Sequence, residues 1–209
     1  MKPLLFLVAG GSASGKSTVV QEILEKSGLN DVLIIKHDDY YHDQSEIPLE
    51  DRYQMNYDHP SSLDNQLLYN HLKQLLEGDK VEKPMYDFVM HTRADKVELV
   101  EPKKIIIVEG ILILENPKIR ELSDMNIFVE LDDDTRFIRR MLRDMNERGR
   151  LLDNIIEQYE KTVKPMFHRY VKPTKRYADV IIPNDQRHDK AVDLIVTKIK
   201  QAISEFNYN

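Results

Sequence analysis

Short apolar segments recur along the chain and alternate with stretches whose apolar residues repeat with helical spacing. The five apolar segments are Leu4–Val8, Val32–Lys36, Ile105–Val108, Asn126–Glu130 and Asp179–Ile182. The helical stretches lie near residues 17–27, 62–77, 134–147, 151–172 and 188–206. This alternation predicts an α/β fold in which a five-stranded parallel sheet is flanked by helices.

A long polar and aromatic region interrupts this alternation between residues 38 and 100. It contains one clear helix and is rich in tyrosine, aspartate, histidine and proline. Residues 86–93 alternate aromatic and polar side chains and are followed by a second extended piece at 96–100, so we expect a β-hairpin. An insertion of this kind between core strands is a place where a substrate is bound. The alternative is a solvated loop region with ordinary turn residues.

The composition suits a single globular domain spanning residues 1–209, with 41% hydrophobic and 32% charged residues. The sequence has no apolar run of about 18 residues, so we expect no membrane span. The chain passes from Met1 almost directly into a strand, so we expect no signal peptide. The absence of cysteine excludes disulfides and thiol catalysis and is compatible with a cytoplasmic location. A net charge of −6 argues against nucleic acid as the main partner.

The strongest motif follows the first apolar segment. Residues 10–17 read GGSASGKS and match the pattern G-x-x-x-x-G-K-S of the phosphate-binding P-loop. A strand precedes the motif and a helix follows it, which argues against a chance match in a glycine-rich turn. Glycine lets the backbone curl so that its N–H groups point at an anion. The residues expected to bind a nucleoside triphosphate are Gly10, Gly11, Ser12, Ala13, Ser14, Gly15, Lys16, Ser17 and Thr18.

Carboxylates stand at the ends of two predicted strands. Glu109 ends the fully apolar third segment and is placed to hold Mg²⁺, together with the Ser17 hydroxyl. Asp38 follows the second segment and could take the proton of a hydroxyl acceptor as a phosphoryl group arrives. Asp39 competes for that role, but strand alternation would direct neighbouring side chains to opposite sides, and we choose Asp38.

Six arginines and no lysine fall within residues 136–150, which we interpret as a lid over the transferring phosphates. They are Arg136, Arg139, Arg140, Arg143, Arg148 and Arg150. Arg136, Arg140 and Arg143 are spaced to share one helical face, and Gly149 is placed to break the helix. Arginine binds phosphate oxygens with paired donors, although a charged solvated helix is the usual alternative. Arg139 is the arginine that we would most readily assign to solvent or to a structural ion pair.

His91 alone would more often be a surface or core histidine. Its place in the predicted hairpin favours a base-binding role, because a neutral imidazole offers one donor and one acceptor. The aromatic residues around it could stack on a base.

Taken together, these motifs resemble those of the uridine–cytidine kinases of pyrimidine salvage, from about residue 4 to residue 200. The segments that carry the resemblance are Gly10–Thr18, Asp38–Tyr41, Asn56–Pro60, Tyr86–Arg93, Glu109–Leu112, Arg143–Arg150 and Pro173–Asp179. The P-loop alone would identify only a superfamily, whereas the blocks around Asp58 and His91 are more specific.

The resemblance implies transfer of the γ-phosphate of ATP or GTP to the 5′-hydroxyl of uridine or cytidine. It also implies a homo-oligomer, expected to be a tetramer. By the same resemblance, Asp38 looks like the catalytic base, and Lys16, Arg143 and Arg148 like residues that neutralise the transferring phosphate. Ser17 and Glu109 match the Mg²⁺ ligands.

The resemblance implies a substrate site as well. Its residues are Tyr41, Tyr57, Asp58, Tyr86, Phe88, His91, Ile111, Arg140, Arg150 and Gln158. Asp58 would hold the ribose hydroxyls, and Ile111 would form an apolar wall for the base. Tyr57 stands where several relatives carry phenylalanine, which adds a hydroxyl near the sugar.

Two alternatives remain open at the level of sequence. One is a related P-loop kinase that acts on another small alcohol, such as pantothenate or a phosphorylated sugar. The other is a nucleotide-dependent switch that is not a kinase, although the sequence lacks the Asn-Lys-x-Asp motif that reads guanine. The preferences between uridine and cytidine and between ATP and GTP also stay open.

Overall fold

A computed structural model describes residues 2–29, 31–185 and 188–207. Its strands are β1 (Leu4–Ala9), β2 (Val32–Lys36), β3 (Val81–Asp87), β4 (Thr92–Val100), β5 (Ile105–Glu109), β6 (Met125–Glu130) and β7 (Val180–Pro183). Five of them form one sheet in the order β2-β5-β1-β6-β7, and every pairing in it is parallel. The predicted α/β fold with a five-stranded parallel sheet is therefore confirmed.

The helices pack on the faces of this sheet. The α-helices are α1 (Lys16–Ser27), α2 (Leu49–Arg52), α3 (Asn65–Glu77), α4 (Pro117–Arg120), α5 (Asp133–Asn146), α6 (Leu152–Gln158), α7 (Lys164–Met166) and α8 (Asp189–Asn207). Single 3₁₀ turns occupy His37–Tyr40, Pro60–Ser62 and Lys172–Tyr177. Within the described part of the chain, no helix is long and apolar enough to cross a membrane.

One predicted helix differs from the structure. The helical pattern of residues 151–172 is divided by two π-helical segments, Tyr159–Val163 and Phe167–Val171. Pro165 and Pro173 have no backbone N–H, so regular α-helical hydrogen bonding cannot run unbroken through this region.

The hydrophobic core has two layers because successive side chains of a strand point to opposite faces. On β1, Leu5 and Leu7 belong to a cluster with α3, whereas Phe6 and Val8 belong to a second cluster with α1 and α8. All four side chains are at most 4% exposed. Burial on both faces explains why residues 4–9 of β1 and 105–108 of β5 are apolar at every position.

The remaining two strands form a separate antiparallel hairpin, β3–β4, so the predicted hairpin is confirmed. Its turn at residues 88–91 lies inside the alternating segment 86–93, which we expected to be the first extended piece. The hairpin is joined to the main sheet through Lys83, whose side chain is 7% exposed. The Lys83 ammonium lies 2.6 Å from Asp39 and 3.2 Å from Glu98. Because Asp39 belongs to the 3₁₀ turn that follows β2, this ion pair places the hairpin beside the end of β2.

Candidate active site

The loop between β1 and α1 carries the P-loop motif, and the structure explains its glycines. Gly10 and Gly15 have positive φ angles of 150° and 88°, which side chains other than hydrogen disfavour. A Cβ atom at Gly10 would also collide with the carbonyl oxygen of Val129. The side-chain amide of Asn184, which follows β7, donates a hydrogen bond to the Ser14 carbonyl at 2.7 Å. The curled loop is therefore held both by its own backbone and by the neighbouring strands.

A cavity of about 590 Å³ opens over the P-loop, at the edge where β1, β2 and β5 end. The predicted site residues that line it are Ser12, Ala13, Gly15, Lys16, Ser17, Thr18, Asp38, Phe88, Glu109, Ile111, Arg143 and Arg148. Four further lining residues were not among the predicted site residues: Lys36, Gly110, Arg139 and Glu147. The volume lies within the range of ligand-binding pockets, about 300–1,000 Å³.

Ser17 and Glu109, which both line the cavity, bring a hydroxyl and a carboxylate together. The Ser17 hydroxyl lies 2.9 and 2.8 Å from the two carboxylate oxygens of Glu109. Hydroxyl and carboxylate oxygens suit Mg²⁺, which is usually bound by one or two protein groups together with substrate phosphates and water. The described residues contain no group of three or more His, Cys, Asp or Glu side chains able to hold a metal.

Lys16 and Asp38 both line the cavity, and both have shifted pKa values. Burial lowers the pKa of Lys16, although the carboxylates of Asp38 and Glu109 oppose this shift. Burial raises the pKa of Asp38 to about 6 against the opposing effect of Lys16. The nearby carboxylates of Glu109 and Asp58 contribute to this rise. The cavity therefore holds an acid whose proton is exchanged close to neutral pH.

Asp38 and Asp39 are directed to different places, as we expected, but for another reason. Residues His37–Tyr40 form a 3₁₀ turn, so the argument from strand alternation was wrong. Asp38 lines the cavity, while Asp39 pairs with Lys83 at 2.6 Å.

Five aromatic side chains from the predicted base-binding region lie against one another: Tyr41, Tyr57, Tyr86, Phe88 and His91. Neighbouring rings in this aromatic group have centroids 5.1–5.4 Å apart. Tyr41 and Tyr86 are 7% and 8% exposed, whereas Phe88 is 55% exposed and reaches the cavity. The structure thus brings the predicted rings together and presents Phe88 to the cavity.

Two polar groups beside the aromatic group, His91 and Asp58, have shifted pKa values. Burial lowers the pKa of His91, and the guanidinium of Arg150 adds to this effect, so the imidazole is neutral at pH 7. Burial raises the pKa of Asp58, while Arg140 opposes that shift. The hydroxyl of Tyr57 donates to the carbonyl of Arg52 at 3.1 Å.

Two arginines that follow β6 along the chain donate hydrogen bonds to the same glutamine side chain. Arg140 donates to the Ser12 hydroxyl at 2.8 Å and to the Gln158 side-chain oxygen at 2.9 Å. Arg150 donates to the same Gln158 oxygen at 2.7 Å. Gln158, at the end of α6, therefore holds together the arginines before and after the break at Gly149.

Arg136 and Arg139 have different surroundings. Arg136 does not line the cavity with Arg143: it is 2% exposed, pairs with Asp133 at 2.7 Å and stacks over the Phe167 ring at 3.7 Å. Its position on the helix directs it behind the P-loop. Arg139, the arginine that we would most readily assign to solvent or to a structural ion pair, is exposed and lines the cavity.

Two organising residues escaped the sequence analysis. Asp144 is fully buried beneath the arginines, and Asn184 holds the P-loop. An aspartate next to Arg143 could have been read as a counter-ion, but nothing in the local sequence links Asn184 with residue 14, because the two are 170 positions apart.

The parallel sheet, the P-loop at the end of its central strand and the acid facing Lys16 define a class of protein, the P-loop kinases. The arrangement is suited to holding a triphosphate beside an acceptor. The Phosphoribulokinase / Uridine kinase family model matches residues 5–191. The chain belongs to this family and is a phosphotransferase of the kinase type.

Curated relatives match nearly the whole chain. A protein from Halalkalibacterium halodurans named uridine kinase is 52% identical over 204 residues, covering 98% of this chain and 97% of that protein. A uridine kinase from Ligilactobacillus salivarius is 50% identical over 202 residues, covering 97% and 95%.

Solved structures of distant kinases share the fold. Phosphoribulokinase from Rhodobacter spheroides has a TM-score of 0.62 at 14% identity, over 86% of this chain and 69% of that one. D-glycerate 3-kinase from Cryptococcus neoformans has a TM-score of 0.56 at 18% identity, over 83% and 78%.

The Ser17–Glu109 pair leads to a prediction about Mg²⁺. We expect Glu109→Gln to raise the Mg²⁺ concentration for half-maximal activity by about tenfold, the scale of losing a group in or next to a metal's ligand set. Activity measured over a Mg²⁺ titration at fixed nucleotide tests this. Glu121→Gln, at an exposed position next to α4, is the control. An unchanged Mg²⁺ requirement in Glu109→Gln would contradict the assignment.

Proposed function

We propose that the chain transfers the γ-phosphate of ATP or GTP to the 5′-hydroxyl of uridine or cytidine in pyrimidine salvage. One observation carries this proposal: Asp38, Lys16 and the Ser17–Glu109 pair share one cavity with Phe88 of the aromatic group. The relatives at about 50% identity are named uridine kinases, which supports a pyrimidine nucleoside as acceptor.

The geometry supports the following assignment of roles. The backbone of Gly10–Thr18 cradles the triphosphate, and Lys16 neutralises its β- and γ-oxygens. Asp38 accepts the proton of the 5′-hydroxyl as the γ-phosphoryl group is transferred to that oxygen and leaves the β-phosphate. Arg143 and Arg148 stabilise the charge on the transferring group. Ser17 and Glu109 would hold Mg²⁺, which would offset the negative charge of the phosphates.

The aromatic group supplies the acceptor side in this proposal. Tyr86 and Phe88 provide rings for the base, and the neutral His91 can meet either a carbonyl or an amino group. The carboxylate of Asp58 accepts from the ribose hydroxyls, and Ile111 lines the apolar wall. Tyr41 and Tyr57 pack behind these groups, and Arg140 of α5, Gln158 of α6 and Arg150 between the two helices close the site. A homotetrameric, cytoplasmic enzyme remains a prediction from the resemblance and the sequence.

The raised pKa of Asp38 predicts the acid limb of the pH profile. Below pH 6 the carboxyl is protonated and cannot accept the hydroxyl proton, so kcat/KM for the nucleoside should fall about tenfold per pH unit. Asp38→Ala should lower turnover about 100-fold or more. Asp39→Ala should keep the acid limb near pH 6, because that side chain faces Lys83. An Asp38→Ala variant that retains more than about a third of turnover would refute the role of base.

The acceptor is tested by ADP release from MgATP with uridine, cytidine, thymidine, adenosine, pantothenate or buffer. We expect release with uridine or cytidine only, because thymidine lacks the 2′-hydroxyl that Asp58 would bind and adenosine lacks the pyrimidine base proposed for the aromatic group. Activity with pantothenate and none with either pyrimidine ribonucleoside would overturn the proposed substrate but not the proposed phosphate-binding residues.

Substitution of Asp58 separates the two halves of the site. Asp58→Ala should raise the nucleoside KM by about tenfold or more, the scale of hydrogen bonds to a charged group, and leave the KM for ATP nearly unchanged. Asp51→Ala, on an exposed position of α2, is the control. An unchanged nucleoside KM in Asp58→Ala would rule out the ribose contact.

A further inference from the structure

A single buried carboxylate lies close to four arginines, two of which line the cavity. Asp144 has a side chain that is 0% exposed. Arg143 donates to its Oδ1 atom at 2.9 and 2.8 Å. The guanidinium nitrogens of Arg148 and Arg150 each lie 3.4 Å from the carboxylate, and the Nε of Arg140 lies 3.6 Å from it. Four cationic groups therefore share one negative charge.

The position of Asp144 links the two sides of the helix break. Asp144 belongs to the last turn of α5, whereas Arg148 and Arg150 flank Gly149, which has a φ of 61°. The backbone N–H of Arg150 also donates to the Asp144 carbonyl at 3.0 Å. Both the side chain and the backbone of Asp144 thus fasten the segment beyond the break to the helix before it.

Asp144 can act on the cavity only through the arginines. Arg143 and Arg148 line the cavity, and Asp144 does not. Without the carboxylate, four guanidinium groups would face one another in a partly buried space and repel. The exposed members of such a cluster would relieve the repulsion by turning outward into solvent, and Arg148 is already 54% exposed.

We infer that Asp144 is a positioning residue, which holds Arg143, Arg148 and Arg150 in the arrangement that phosphate transfer requires. The inference rests on the proposed function. Its consequence is specific: loss of the carboxylate should disturb the alignment of the arginines more than the binding of ATP, because the variant site carries one more net positive charge.

The test compares two reactions of the same protein, transfer of phosphate to uridine and its loss to water. Asp144→Asn keeps the shape of the side chain and removes its charge. We expect kcat for transfer to fall about tenfold or more, because small misplacements of groups at the reacting centre are costly. The KM for ATP should not rise. The ratio of hydrolysis to transfer should rise at least about fivefold, because arginines that no longer close over the phosphates admit water.

This ratio distinguishes positioning from a merely structural role. A fraction of unfolded protein lowers both reactions equally and leaves the ratio unchanged, so a ratio within about twofold of wild type overturns the inference. Asp133→Asn is the matched control, because it removes the charge from a 2.7 Å pair with Arg136 that lies within the same helix and outside the main cavity. That variant should keep the wild-type ratio.

Hydrogen–deuterium exchange of the ligand-free protein separates this inference from the proposed function. Asp144→Asn should exchange faster than wild type over residues 143–151, and unchanged exchange there would contradict the inference. A wild-type chain that transfers phosphate to neither pyrimidine nucleoside would refute the proposed function, while faster exchange in Asp144→Asn would still support the role of Asp144 in holding the arginines.

Discussion

The site depends on opposite charges that lie close together before a phosphate is bound. Lys16 faces Asp38 and Glu109, and Asp144 lies beneath the arginines that follow β6. At partly buried positions such charges interact more strongly than in water, and each also bears a cost of desolvation. The carboxylates therefore stabilise a concentration of positive charge that would otherwise repel itself. That positive charge is what attracts and holds a triphosphate.

The parallel sheet sets the distances between these charges. All its strands end at the same edge, and the register places Val8 and Lys36 on the two sides of Glu109. The P-loop follows the strand of Val8, and the turn with Asp38 follows Lys36 directly. Hydrophobic burial on both faces of β1 and β5 keeps this edge rigid, so the loops can carry polar groups without losing their positions.

The hairpin does not pair with the strands of the main sheet, and buried polar contacts connect it to the phosphate site instead. Lys83 links the hairpin to Asp39, the neighbour of Asp38. Arg52 is 8% exposed and donates to three backbone carbonyls, one of them in the hairpin turn at Met90. Leaving such buried groups unpaired is costly, so these contacts restrict where the hairpin can lie. The aromatic group and the Asp38 turn are consequently positioned as one unit.

The sequence by itself determined the parallel sheet, the P-loop and the hairpin, because each follows from local patterns: apolar runs, glycine spacing and alternating side chains. It also pointed to Glu109, since a strand-end carboxylate beside a P-loop strand is recognisable from order along the chain. Only the tertiary structure decided which arginines face the cavity. Arg136 packs against the Phe167 ring, whereas Arg139 lines the cavity. It alone revealed Asp144 as the shared counter-ion and Asn184 as the support of the P-loop. Helical spacing gives the relative directions of side chains, whereas the partner of each side chain depends on how distant segments pack.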